Sequence, residues 1–234
     1  MKFDVVTIGS TTRDAFLKTN FKVVPFPKTP TGRGFIVPAG EKMGVKDVYF
    51  TIGGNAANAS VTFSRQGYKT AVFTRVGDDA EGFEIKRKLK QEGVTTDSIS
   101  TVSMPTAFSV ILLQGGERTI LSYHGAIESF SLKSVRWSEL KSKWWYVSLP
   151  GESYKLLGQV LKAARENNVS VALNPSFKHL VEGRRELLKC LKDVSFLVLN
   201  EGEAAALTGI SFKKPEQVFK KLDKLTPGIV AITS

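Results

Sequence analysis

Cysteine is almost missing from this sequence. Cys190 stands alone among 234 residues, so no internal disulfide can form and a reducing compartment fits the chain. Histidine is nearly as scarce: His124 and His179 lie in unlike contexts without metal-ligand spacing, and no Cys/His set suits zinc. With GxSxG also missing, no hydrolase triad is suggested, and each ring reads as structural or solvated. Neither a GxxxxGK(S/T) phosphate loop nor GxGxxG after the first strand is present, which disfavours the commonest nucleotide-binding fingerprints. No apolar run is long enough to span a bilayer, and the start from Met1 to Ser10 is too brief for a signal peptide. The expected location is cytoplasmic.

Acidic residues are the minority charge. Asp and Glu number 22 against 33 Lys and Arg, a net charge of +11 that biases encounters toward anions. Much of the positive charge sits between Glu84 and Gln91 and between Phe212 and Lys221, where apolar residues recur at helical spacing; both read as solvated helix faces. No aromatic-basic stacking pattern accompanies them, so a nucleic-acid footprint is the weaker reading.

The apolar patterning alternates. Phe3 to Ile8 is a run ending at Gly9, the form of a strand buried on both faces of a parallel sheet. Tyr49 to Ile52 reads as a strand end, followed by Gly53-Gly54-Asn55 and a small-residue helix from Ala56 to Phe63 with Asn55 as its N-cap. A strand at Ala71 to Thr74 and a helix to about Glu92 follow. Further strands near Trp145 to Leu149, Val169 to Leu173, Ser195 to Leu199 and Ile229 to Thr233 are separated by helices near Ser153 to Glu166, Arg184 to Leu191, Glu201 to Leu207 and Pro215 to Leu225. This is an α/β pattern. Phe108 to Tyr123, two β-rich runs about Gly115-Gly116, reads as a hairpin outside the sheet. The proline-punctuated stretch from Phe21 to Ala39 belongs with it as a loop-rich lid.

Two features carry candidate chemistry. In GGNAANAS, Gly53 to Ser60, paired glycines permit close backbone approach, a helix start offers unpaired N–H groups, and Asn58 supplies an amide for hydroxyls. Close packing alone would also account for such a turn. Asp14, just beyond the first strand, would point into the crevice where α/β folds bind ligands and could accept two hydroxyl hydrogen bonds; it could equally cap a turn.

The order IGSTTRD (Ile8 to Asp14), GGNAAN (Gly53 to Asn58), RVGDDAEG (Arg75 to Gly82), Glu117-Arg118-Thr119 in the hairpin, ALNPS (Ala172 to Ser176) and NEGEAAALTG (Asn200 to Gly209) resembles the ribokinase-like, PfkB-type family of carbohydrate and nucleoside kinases over essentially the whole chain. The resemblance implies a mainly parallel sheet flanked by helices, incomplete at the C-terminus, with a small β lid from segments of about 15–50 and 106–124 inserted into one domain over 1–234. It implies ATP and Mg²⁺ as cofactors, with a monovalent cation an option in the complete enzyme, and a sugar or nucleoside acceptor. Asp14, Gly53, Gly54 and Asn58 would hold the acceptor's hydroxyls. Asn200 and Glu203 match the family's Asn-x-x-Glu near the nucleotide phosphates, Glu203 reaching the metal through water, and Thr233 would begin the nucleotide-binding loop. For Glu203 alone, a helix-start acid favoured by the dipole is the simpler reading.

The family's Gly-Ala-Gly-Asp-like motif, with its anion hole and catalytic aspartate, is not found, so the catalytic residue is expected beyond Ser234 and negligible turnover by this chain alone. Asn55 replaces the lysine that ribokinases often carry after the paired glycines, and Pro150-Gly151 replaces an expected glutamate. Three readings follow in order: the substrate-binding part of a sugar or nucleoside kinase, a non-catalytic sugar-binding or regulatory relative, and a nucleic-acid binder using the positive charge. No membrane partner is expected, and lid strands of this family often pair between subunits as a homodimer.

Overall fold

The computed structural model describes residues 2–29, 32–132 and 135–233. Pro30, part of the expected lid loop, and the terminal Ser234 lie outside them. The opening apolar run forms β1 (Phe3–Gly9), buried along nearly its whole length. After Ser10 and Thr11 the chain continues as β2 (Thr12–Lys18), a hairpin of β3 (Lys22–Pro25) and β4 (Arg33–Ile36), and β5 (Asp47–Gly53), which leads into α1 (Asn55–Arg65). Then come β6 (Thr70–Gly77), α2 (Ala80–Gln91), β7 (Ile99–Val102) and the hairpin of β8 (Phe108–Gln114) and β9 (Glu117–Tyr123). The rest alternates: β10 (Ser142–Ser148), α3 (Leu157–Glu166), β11 (Ser170–Leu173), α4 (Phe177–Val181), α5 (Arg184–Cys190), β12 (Phe196–Asn200), α6 (Glu201–Thr208), α7 (Pro215–Leu225) and β13 (Ile229–Thr233).

Seven strands form a sheet in the order β13-β12-β11-β10-β1-β6-β7, parallel throughout. From β1 the chain steps one way to β6 and β7, then returns to β10 on the other side and steps outward to β13. That reversal puts the topological switch between β1 and β10, and α/β sheets bind ligands outside the carboxyl ends of strands at such a point. Helices cover two faces. Side chains of α3 to α7, such as Val160, Leu180, Leu187, Leu207 and Leu222, join Trp145, Val147, Leu173 and Leu197 in one buried cluster. Ala56 and Ala57 of α1 and Ile85 and Leu89 of α2 join Val72 and Val76 in a second. Burial on both faces explains why these strands read as continuous apolar runs.

A second sheet, β5-β2-β8-β9, stands apart from the first. The Phe108 to Tyr123 hairpin lies there, as expected. The strand read at Tyr49 to Ile52 is part of β5 and pairs antiparallel with β2, so it belongs to this sheet and not to the parallel alternation. β2 itself, TRDAFLK, and β7, ISTV, lack the apolar pattern of a buried strand and are set by their neighbours. The β3–β4 hairpin is joined to this sheet by an ion pair at 2.9 Å between Arg33 Nη1 and Glu117 Oε1. The helix expected from Ser153 starts as a 3₁₀ turn at Gly151–Leu156 and becomes α-helical at Leu157.

Candidate functional site

The carboxyl edge of the parallel sheet begins at Ser10. Its main-chain oxygen accepts hydrogen bonds from the N–H groups of Ala56 (3.1 Å) and Ala57 (3.4 Å), and its Oγ accepts from Asn55 N (3.2 Å). These are orphan donors of the α1 start. The sequence suggested that this helix offers them to a ligand and that Asn55 is its N-cap; in the structure Ser10 takes them and Gly54 occupies the N-cap position. Gly54 has φ +89°, and a Cβ there would lie 2.5 Å from Ser10 O and 2.8 Å from Thr11 Cα. Its missing side chain therefore makes room for the β1–β2 turn. At Gly53 a Cβ would fall 1.9 Å from Asp14 Oδ2, so this glycine makes room for a carboxylate.

Asp14 is half-buried in the middle of β2, with Thr51 of β5 and Ser109 of β8 as cross-strand neighbours. Thr12 Oγ1 donates to Asp14 Oδ1 at 2.7 Å, which orients the carboxylate toward the glycine turn. The adjacent Arg13 points the other way: its Nε is 2.8 Å from Glu81 Oε2 of α2, and its guanidinium lies 5.2 Å from the centre of the Phe50 ring. Period-two alternation thus spends one residue on anchoring the second sheet to α2 and the next on the crevice. Asn58 is exposed and opens onto a cavity of about 420 Å³ with Phe50, Thr51 and Ile52. Thr51 borders this cavity but shares the Asp14 face of β5, whereas Phe50 and Ile52, which wall it, alternate onto the Arg13 face.

Freed from capping, the Asn55 side chain crosses the switch point. Its Nδ2 donates to Ser148 Oγ at 2.9 Å and to Asn174 Oδ1 at 3.3 Å, and Asn174 Nδ2 donates to Val198 O at 3.1 Å. Sequence reasoning did not single out Ser10, Ser148 or Asn174 as site residues. Their common signal is position: each falls at or just beyond the end of a parallel strand.

Farther along the edge, α6 starts with a closed box. Glu203 N donates to Asn200 Oδ1 and Asn200 N donates to Glu203 Oε2, both at 2.8 Å. The local, structural reading of Glu203 is therefore realised, and the strand register places Thr233 of β13 beside Asn200. Carboxylate and amide oxygens of this kind suit a hard cation such as Mg²⁺. Among the described residues no group of three or more His, Cys, Asp or Glu forms a metal-binding cluster.

Other motif residues are structural. Asp79 accepts from Gly82 N (2.8 Å), Thr106 N (2.7 Å) and Thr106 Oγ1 (2.5 Å); burial pushes its carboxyl up, but the Thr106 and Gly82 hydrogen bonds outweigh it and hold the group below its usual range. His179 is 1% exposed, and its Nδ1 accepts from Ser176 N at 3.1 Å, which leaves the ring proton on Nε2. Burial pushes its pKa down to about 4. His124 is exposed.

Comparison with known proteins agrees with this architecture. A ribokinase of Haemophilus influenzae is 30% identical over 190 residues, which cover 80% of this chain and 60% of that protein. A Dictyostelium discoideum ribokinase is 23% identical over 219 residues, or 91% of this chain and 63% of the relative. The chain thus spans less than two thirds of the length of either. Among solved structures, Arabidopsis thaliana ribokinase complexed with ribose and ATP superposes with a TM-score of 0.78 at 22% identity, covering 99% of this chain and 72% of the other. Halothermothrix orenii fructokinase gives 0.77 at 22% identity, covering 99% and 79%. The fold is ribokinase-like, and since the model of the pfkB family carbohydrate kinases matches residues 2–234, the chain belongs to that family.

Proposed function

We propose that this chain binds the acceptor of an ATP-dependent sugar or nucleoside kinase, with phosphoryl transfer directed to a hydroxymethyl group. The observation that carries the reading is Asp14: a half-buried carboxylate at the carboxyl edge of the sheet, oriented by Thr12 and seated in the space left by Gly53. A carboxylate so held can accept two hydroxyl hydrogens of a diol, and charge-assisted hydrogen bonds of this kind are about twice as strong as neutral ones. Gly53 and Gly54 keep the turn beside it narrow, and Asn58 offers an amide from one turn along α1.

At the other end of the edge, Asn200, Glu203 and Thr233 are assigned to the nucleotide side. Glu203 would hold Mg²⁺ through water, and the metal would neutralise phosphate charge. Between the two ends, the Asn55–Ser148–Asn174 relay fixes the floor. The second sheet acts as a lid that excludes water, and its exposed edge strands β5 and β9 are the surfaces through which a homodimer would form. The work assigned to these residues is binding and orientation, with the general base outside this set.

Calorimetry and thermal shift with ribose, fructose, adenosine and Mg·ATP test the proposal. An acceptor at a hundredfold excess over its Kd raises stability by about 2.7 kcal/mol. Asp14→Ala abolishes the acceptor response and leaves the nucleotide response intact. Equal acceptor affinity in the variant would overturn the assignment.

A further inference from the structure

The Asp14 neighbourhood extends across the whole second sheet. Pairing places Thr51 of β5 opposite Asp14, Asp14 opposite Ser109 of β8, and Ser109 opposite Ser122 of β9. Cross-strand partners project from the same face, so these side chains form one row. One contact within the row agrees, Ser109 Oγ lying 3.5 Å from Ser122 Oγ, and Thr12, two residues before Asp14 on the same strand face, reaches the Asp14 carboxylate. The next row outward, through Phe16 and Ile111, is apolar. Ser109 is the departure from the pattern. It is 7% exposed within the apolar strand FSVILLQ, and its hydroxyl meets the Ser122 hydroxyl at the outer limit of hydrogen bonding. A nearly buried hydroxyl held so loosely gains from a further partner.

We infer that Ser109 and Ser122 are specificity residues that select a free polyhydroxylated sugar over a nucleoside; this rests on the acceptor site proposed above. Strands lie about 4.8 Å apart, so the polar groups from Asp14 to Ser122 extend over about 10 Å, longer than the diol that a carboxylate alone would read. A sugar carries hydroxyls along that edge and can donate to or accept from each serine. A nucleoside would lay its base there and leave the serine hydroxyls desolvated without partners, which discriminates against it.

Calorimetric titration of the full chain with ribose, fructose and adenosine is the test, with thermal melts confirming that each variant folds. The wild type binds at least one sugar about tenfold more tightly than adenosine. Ser109→Ala and Ser122→Ala each weaken the sugar by about fivefold, one hydrogen bond's worth, without weakening adenosine; Ser122 is exposed, so its variant tests the idea even if Ser109→Ala fails to fold. Loss of all acceptor binding in Asp14→Asn, with the serine variants unchanged or adenosine preferred, overturns this inference and leaves the acceptor site standing. Asp14→Asn that binds like the wild type, or a wild type that binds none of the three, overturns both.

Discussion

The helices that open onto the carboxyl edge of the sheet are started in two different ways. At α1 the first N–H groups are taken by Ser10, a residue that lies 45 positions before Asn55 and immediately after β1. At α6 the cap is local: the Glu203 N–H is taken by Asn200, whose own N–H donates to the Glu203 carboxylate. The first solution is tertiary and the second local. Capping from a distance ties α1, the β1–β2 turn and the Asp14 strand into one unit, so this end of the edge cannot move piecemeal. A self-contained box needs no residue from another strand to start α6.

Breaking the distant cap has the largest expected effect. Gly54→Ala would place a methyl group 2.5 Å from Ser10 O at a φ of +89°, and the atoms in the way are main chain. Backbone strain and the displaced turn cost about 3 kcal/mol or more, and a thermal melt should drop by roughly 6–12 °C for a chain of this size. A melting temperature unchanged by the substitution would show that Ser10 does not hold α1.

The same contrast explains what was readable in advance. Helix starts with local caps announce themselves: Asn200-x-x-Glu203 is a capping pattern in the bare sequence, and α6 is found where it predicts. Ser10 has no such signature, because a cap supplied from another strand has no fixed spacing from its helix, and Asn55 was the nearer candidate. Parallel strands such as β1 and β12 were legible through their apolar runs. β2 was not, because its half-exposed TRDAFLK carries the crevice aspartate and the Arg13 anchor where an apolar pattern would be. Asp14 and the paired glycines were legible as residues, but the steric reason for each glycine emerges only when the β1–β2 turn is placed against them.

A second local box, at α4, sharpens the comparison through pH. His179 closes it by accepting from Ser176 N, and burial holds the ring at about 4 against an ordinary value of 6.5. The unfolded chain therefore binds more protons between those values, and stability is complete above 6.5 and falls as the pH drops toward 4. Linkage gives a loss of about 2 kcal/mol between pH 7.5 and pH 5. Glu152, which Lys155 and Lys178 hold at about 2, titrates below this window. Urea denaturation at the two pH values should show the slope, and His179→Asn should flatten it; a slope that survives the substitution would assign it elsewhere.

The smallest effect separates the two kinds of cap most directly. Asn200→Ala removes the side-chain oxygen that accepts from Glu203 N, and an N-cap loss of this type costs about 1 kcal/mol. Ser10→Ala looks like the same experiment and is not. Two of the three α1 N–H groups go to the Ser10 main-chain oxygen, which alanine retains, and only the Asn55 contact at 3.2 Å is lost. The expected cost is about 0.5 kcal/mol or less, because Asn55 N at the exposed helix start can turn to water. Paired urea titrations of the two variants read the difference. If Ser10→Ala proves as costly as Asn200→Ala, the hydroxyl carries the cap, and α1 is held by a side chain after all.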